Sequence, residues 1–177
     1  MQSNTSTLAP RDITTALEDP RRLATLRRTT LLDSPASEIF DRFTRLVVTV
    51  LRVPVALLTL VDADRQFFLS SAGLREPWAS GRQTPLSHSF CQRLVASGQP
   101  LVVADARRHP LLADNPAIVD LGVVAFAGFP LRTYEGVVLG GLCAIDHRPR
   151  VWRPRDLAIL QELAVAVMTD IELYLCR

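Results

Sequence analysis

Lysine is missing altogether: all twenty basic residues of this 177-residue chain are arginine. That excludes a P-loop of the G-x-x-x-x-G-K-[ST] type, a lysine Schiff base with a carbonyl substrate or pyridoxal phosphate, and a kinase-type lysine reaching nucleotide phosphates. Cysteine is scarce, with only Cys91, Cys143 and Cys176, an odd number lacking any C-x-x-C spacing. Neither a secreted disulfide framework nor a zinc ribbon fits that count, and buried free thiols are expected. Excess charge of one sign is also absent: eighteen acidic residues leave a net charge of +2. With its arginines scattered, the chain lacks the field that draws basic domains to phosphate backbones, so nucleic acid is not an expected partner. Long apolar runs are missing too. The longest uncharged stretches, such as Leu121–Leu131 and Val137–Ile145, fall short of the roughly 18 residues a membrane-spanning helix needs, and the start of the chain has no apolar h-region. No membrane insertion and a cytoplasmic location are expected.

What is present suits one domain with its own core, since 48% of residues are apolar or aromatic and 21% charged. Residues 1–18 read as a flexible N-terminal tail, polar and without periodicity over most of their length, and residues 19–177 as the domain. A first helix enters at Asp19-Pro20 with Leu23 and Leu26 on one side, and Arg21, Arg22, Arg27 and Arg28 are expected to be solvated. Ser34 reads as an N-cap with Pro35 at the first position of a second helix. There Ile39, Phe40, Phe43, Leu46, Val47, Val50 and Leu51 form a continuous stripe at the helical period. Beyond Pro54 the period changes, and Val55–Val61 with Gln66–Ser70 predicts a hairpin. A helix over about His88–Ala96 stopped by Ser97-Gly98, a strand over Leu101–Ala104, and a long loop from Asp105 to Gly122 follow. Val123–Arg132 and Val137–Ile145 predict a second hairpin, and a final helix enters at Pro154.

Two hairpins flanking a helical insertion imply an α+β fold: an antiparallel sheet with terminal helices packed on one face and a pocket side closed by a middle helix and loops. The last helix carries Leu157, Leu160, Ala164, Val167, Ile171 and Tyr174 on one stripe, widened by Ile159, Leu163, Ala166 and Leu173. One sheet would not cover that girth; the first helix packing beside it is one cover and the same pair in a second subunit another, and a homodimer through the N- and C-terminal helices is expected.

Seven blocks, in order, resemble those of bacterial GAF domains, small sensory modules of signalling proteins. They are Leu31-Leu32-Asp33-Ser34-Pro35, the run from Val61 to Phe68, Leu86-Ser87-His88-Ser89-Phe90-Cys91, the run from Pro100 to Ala106, Asp114-Asn115-Pro116, Ala127-Gly128-Phe129-Pro130-Leu131-Arg132, and the run from Leu139 to Asp146. The resemblance implies a PAS-like layout with a small-molecule pocket under the middle helix, an output signalling domain in the full-length protein, and no catalysis by the module itself. An unidentified small molecule is the implied ligand. The pocket candidates are Phe68, His88, Phe90, Cys91, Asp105, His109, Asn115, Phe126 and Cys143.

No cofactor is assigned. His88 and Cys91 lie three apart, but no second close pair of ligands accompanies them and no metal is expected. Bilin-carrying GAF domains often attach the pigment through a cysteine followed by histidine, whereas Cys91 precedes Gln92; nothing selects haem. The Asn-Lys-x-Asn-Phe motif of cyclic-nucleotide-binding members needs a lysine. Free methionine sulfoxide reductases share the fold and need an attacking and a resolving thiol. Cys91 and Cys143 are the candidates for that alternative, although the long loop holds no cysteine. A third reading is a ligand-free dimerisation module, expected if Phe68, Phe90, Phe126 and Leu142 fill the sheet face under the middle helix.

Overall fold

A computed structural model describes residues 10–177. Its centre is a six-stranded, wholly antiparallel sheet in the order β3-β2-β1-β6-β5-β4. The expected hairpins are β1 (Val55–Val61) with β2 (Arg65–Ala72), and β5 (Ala125–Arg132) with β6 (Val138–Asp146). They join edge to edge through β1 and β6, from Val55 opposite Ile145 to Leu60 opposite Gly140. Short strands close the two edges, β3 (Gln83–Pro85) beside β2 and β4 (Leu101–Val103) beside β5.

Alternation along the central strands sends side chains to two separate cores. Ala56, Leu58 and Leu60 of β1, with Leu142 and Ala144 of β6, face a layer made of α2 (Pro20–Arg28), α3 (Glu38–Leu51) and α7 (Pro154–Leu175). Val55, Leu57 and Val61, with Cys143 and Ile145, face the other way, toward α5 (Cys91–Ser97). Leu142 therefore lies on the terminal-helix side, not under the middle helix as the sequence reading placed it. Leu142 and Cys143 are neighbours on β6 and so face opposite sides, and Cys143 takes the α5 side.

Several boundaries differ from expectation. The second predicted helix, α3, begins after Ser37, not Ser34. Asp33 adopts a left-handed φ of 59°, the Ser34 N–H bonds to the Leu31 carbonyl in a turn, and Pro35 keeps Ser34 out of helical geometry. The middle helix is shorter than predicted: a 3-10 turn covers Leu86–His88, and α5 runs from Cys91 until Gly98, at φ 64°, ends it. One-turn helices α4 (Trp78–Gly81) and α6 (Ala117–Asp120) sit in the two loops.

Of the predicted tail, residues 1–9 lie outside the described residues, whereas Pro10–Leu17 form helix α1. Ile13 and Leu17, four apart on one edge, are buried against α5 and the core beneath it. A single i, i+4 pair is too weak a period to stand out in a polar stretch, and the docking surface that orders it comes from the rest of the fold. Arg22 also corrects the sequence reading. It is buried, donating to the Val61 carbonyl at 2.7 Å and to the Leu17 carbonyl at 2.8 Å, so it ties the end of α1 to the end of β1. Burial lowers the pKa of its guanidinium from the ordinary value, against the opposing pull of Asp62 and Asp19.

The β1–β6 seam leaves no room for a side chain at Gly140, where an added Cβ would sit 1.9 Å from the Thr59 carbonyl oxygen. Gly140→Ala is expected to lower stability by about 1–3 kcal/mol through overpacking. Gly81→Ala, with nothing within 4 Å of its Cβ position, should change it by under about 0.5 kcal/mol. Urea denaturation of the two variants checks the contrast.

Candidate functional site

The space between α5 and the sheet is where the sequence places a ligand. Five of the nine candidates converge there: Phe68 from β2, Phe90 and Cys91 at the start of α5, Phe126 from β5 and Cys143 from β6 all lie in one buried cluster. Phe90 and Phe126 meet at 5.1 Å between ring centroids with planes tilted by 51°, a favourable aromatic arrangement. Leu94 completes the packing. A methyl group on Gly141 would lie 2.4 Å from Leu94 Cδ1, so the glycine in β6 lets α5 sit directly on the sheet. Ile13 and Leu17 of α1 add to the same cluster from the far side.

The two thiols face each other in this cluster, Cys91 Sγ 3.0 Å from Cys143 Sγ, and both are buried. Burial holds the Cys143 thiol well above the usual thiol range, and its bond to Cys91 pushes the same way. A nucleophilic sulfur needs thiolate character and access. Cys143 has neither.

A polar network seats α5. Ser89 Oγ accepts from the Gln92 N–H at 3.1 Å and donates to Gln66 Oε1 at 2.8 Å, and Gln66 Nε2 donates to Thr84 Oγ1 at 3.2 Å. All of Gln66, Thr84 and Ser89 are buried, so the network links β2, β3 and α5 with its hydrogen bonds made.

The other four candidates do not enter the cluster. His88, in the 3-10 turn, does not share a helix face with Cys91; its Nε2 lies 2.8 Å from Asp120 Oδ2 of α6, and its ring tilts against Trp78. Beyond that pair a cavity of about 90 Å³ opens between Trp78, Asp120 and His147. It is below the roughly 300 Å³ at which small-molecule pockets begin. Asp105 accepts from the Arg107 N–H and pairs with the Arg107 guanidinium at 2.9 Å. Asn115 Oδ1 accepts from the Ala117 N–H at 2.8 Å, and His109 Nδ1 from the Leu111 N–H at 3.2 Å. Burial, with Arg93 nearby, holds His109 below the ordinary histidine range. Each of these three loop side chains completes its own turn, the usual work of Asp and Asn in such segments. Leu94, Ile13 and Leu17 are the contributors that sequence reasoning missed. The signal available for Leu94 was its spacing three after Cys91.

A six-stranded antiparallel sheet with three helices on one face and α5 with α1 on the other defines an α+β domain. The GAF domain family model matches residues 35–171, and the chain belongs to that family. It is 38% identical over 143 residues to the cyclic di-GMP phosphodiesterase PA2567 of Pseudomonas aeruginosa, a match covering 80% of this chain. The chain spans only 24% of that relative's length. Among solved structures, the GAF domain of an Acinetobacter phosphoenolpyruvate-protein phosphotransferase superposes with a TM-score of 0.63 at 20% identity, covering 86% of this chain and 93% of that one. The free methionine-R-sulfoxide reductase of Neisseria meningitidis, in complex with its substrate, gives 0.61 at 19% identity, covering 84% and 86%. At these identities the two structures speak to fold alone. No helix among the described residues is long and apolar enough to cross a membrane.

The buried thiols make a direct check of the packing. With an aromatic disulfide reagent, exposed Cys176 should react on mixing, whereas Cys91 and Cys143 should react only as the domain opens. Leu17→Ala, which removes part of the α1 contact, is expected to cost about 2–4 kcal/mol and to speed the reaction of Cys91 measurably. Equal rates for all three thiols in the native protein would show that the cluster is not packed.

Proposed function

We propose that this GAF domain is a non-catalytic regulatory module of a bacterial signalling protein, which works by pairing its outer helical face with that of a second copy. The observation that carries the reading is an apolar strip on α3 and α7. Ile39, Leu46 and Val50 of α3 are 44%, 43% and 44% exposed, and Leu173 of α7 is 58% exposed. The three α3 residues recur at i, i+7 and i+11 and so share one face. Arg42 of α3 bonds Asp170 of α7 at 2.8 Å, which holds the helices side by side. Contiguous apolar surface of this kind marks an interaction site.

The match to one quarter of a cyclic di-GMP phosphodiesterase supports a place for such a domain inside a longer signalling protein, with the output activity carried by another part of that chain. The reductase alternative has weaker support, because it needs a reachable thiolate where this chain has two buried thiols. On the α5 face, a small molecule would have to displace the phenylalanines or lift α1 and α5, so a signal there acts as a shift between a closed and an opened population. The packed state seen here is the closed one, and it is the state a ligand-free dimerisation module would also occupy.

Sedimentation velocity across a concentration series tests the pairing. The wild-type chain is expected to dimerise, and Leu46→Glu combined with Leu173→Glu to weaken the dimer by at least about 30-fold, given the usual cost of charging a central apolar contact. A wild-type chain still monomeric at about 1 mM, where even an association of about 4 kcal/mol is half complete, overturns the proposal.

A further inference from the structure

The flank of α7 that looks away from α3 borders a second and larger cavity. Gln161, Val165, Met168 and Glu172 follow one another along that flank at helical spacing. Across from them lie Phe129 and Arg132 of β5 and the Gly98-Gln99-Pro100 turn leading from α5 into β4. The space encloses about 490 Å³, within the roughly 300–1,000 Å³ of small-molecule sites. It opens on the helical side of the sheet, away from the packed cluster under α5. Phe129 and Met168 give it an apolar wall, and Val165, 60% exposed, stands at its mouth.

Its polar lining holds one cation and one anion that do not neutralise each other. Arg132 donates to the carbonyls of Gly98 and Gly136, and no carboxylate pairs with it among the described residues. A guanidinium has five N–H donors, so donors remain after two carbonyl bonds. Glu172 accepts the Tyr134 backbone N–H at 2.8 Å through Oε1 and has no cationic partner among the described residues.

We propose that this cavity binds a zwitterion with an apolar body, an apolar α-amino acid or a short apolar peptide. Its carboxylate meets the Arg132 guanidinium, its ammonium meets Glu172, and its side chain lies against Phe129, Val165 and Met168. Both end contacts are charge-assisted hydrogen bonds, the stronger class. A simple anion would leave Glu172 facing it, and a simple cation would leave Arg132 doing so; a molecule with both charges meets both groups at once. The site lies on the flank of α7 opposite Asp170, so it does not compete with the pairing surface of α3 and α7. Either proposal can fail without the other.

Titration of the ¹⁵N-labelled chain with L-leucine and with L-leucyl-L-leucine, followed by amide shifts, separates the two sources by the charge separation each offers. N-acetyl-leucine and leucinamide, each lacking one charge, are the controls. The expected result is a saturable response centred on Phe129, Val165, Met168 and Glu172 with at least one zwitterion. Binding should be weaker by about tenfold or more for each control and for Arg132→Gln and Glu172→Gln, the loss expected for one charge-assisted bond. Glu172→Gln retains an acceptor for the Tyr134 N–H, so its fold is preserved, and Val165→Trp should block the mouth outright. No saturable response to either zwitterion at about 10 mM, equal binding of the blocked controls, or a response centred on Phe90 and Cys91 overturns the proposal. So does a dimer that buries Val165.

Discussion

The rest of the molecule depends on the antiparallel seam between β1 and β6. Both strands are apolar on both faces, so the seam is stable only when each face carries its own layer. On one side that demand is met by α2, α3 and α7. On the other it is met by α5 and α1, which is why a segment as polar as Pro10–Leu17 becomes ordered. The small residues of the seam set how close those layers come. Gly140 admits the neighbouring backbone and Gly141 admits Leu94, so what would be a hollow over a bulkier strand is here a packed contact.

The parts of the fold legible in the sequence are those where one physical period acts alone. The α3 stripe from Ile39 to Leu51 is a clean helical repeat, and both hairpins are apolar runs bounded by turn residues, as the register of β1 with β2 and of β5 with β6 shows. What was not legible depends on contacts distant in sequence. Arg22 looks like one of four surface arginines until the carbonyls of Leu17 and Val61 arrive beside it. Gln83–Pro85 has no strand period of its own and is a strand because β2 offers it an edge. Leu142 and Cys143 are consecutive on one strand, so only one of them faces α5, and Cys143 takes that side beside Cys91.

The candidate site divides along the same line. Aromatic and thiol residues from four elements meet under α5 because apolar side chains are driven to a common interior. The polar residues of the long loop have no such drive toward one another, and Asp105, His109 and Asn115 each satisfy the nearest backbone. The α7 flank had no counterpart in the sequence reading: Gln161, Val165, Met168 and Glu172 mix polar and apolar residues and fall outside the apolar stripe. The other wall of that cavity comes from β5 and the turn before β4, whose proximity to α7 no local pattern encodes.

Helix α7 is held firmly at one end. Arg150 donates to the Leu51 carbonyl at 2.6 Å, pairs with Asp156 at 3.5 Å and lies over the Trp152 ring, whose Nε1 in turn donates to the Val103 carbonyl. From that anchor the helix extends 22 residues, about 33 Å at 1.5 Å per residue. Buried contacts from Leu160 to Ile171, the Arg42–Asp170 bond and the Tyr134–Glu172 bond fasten it along that length, so helix and sheet form one stiff unit.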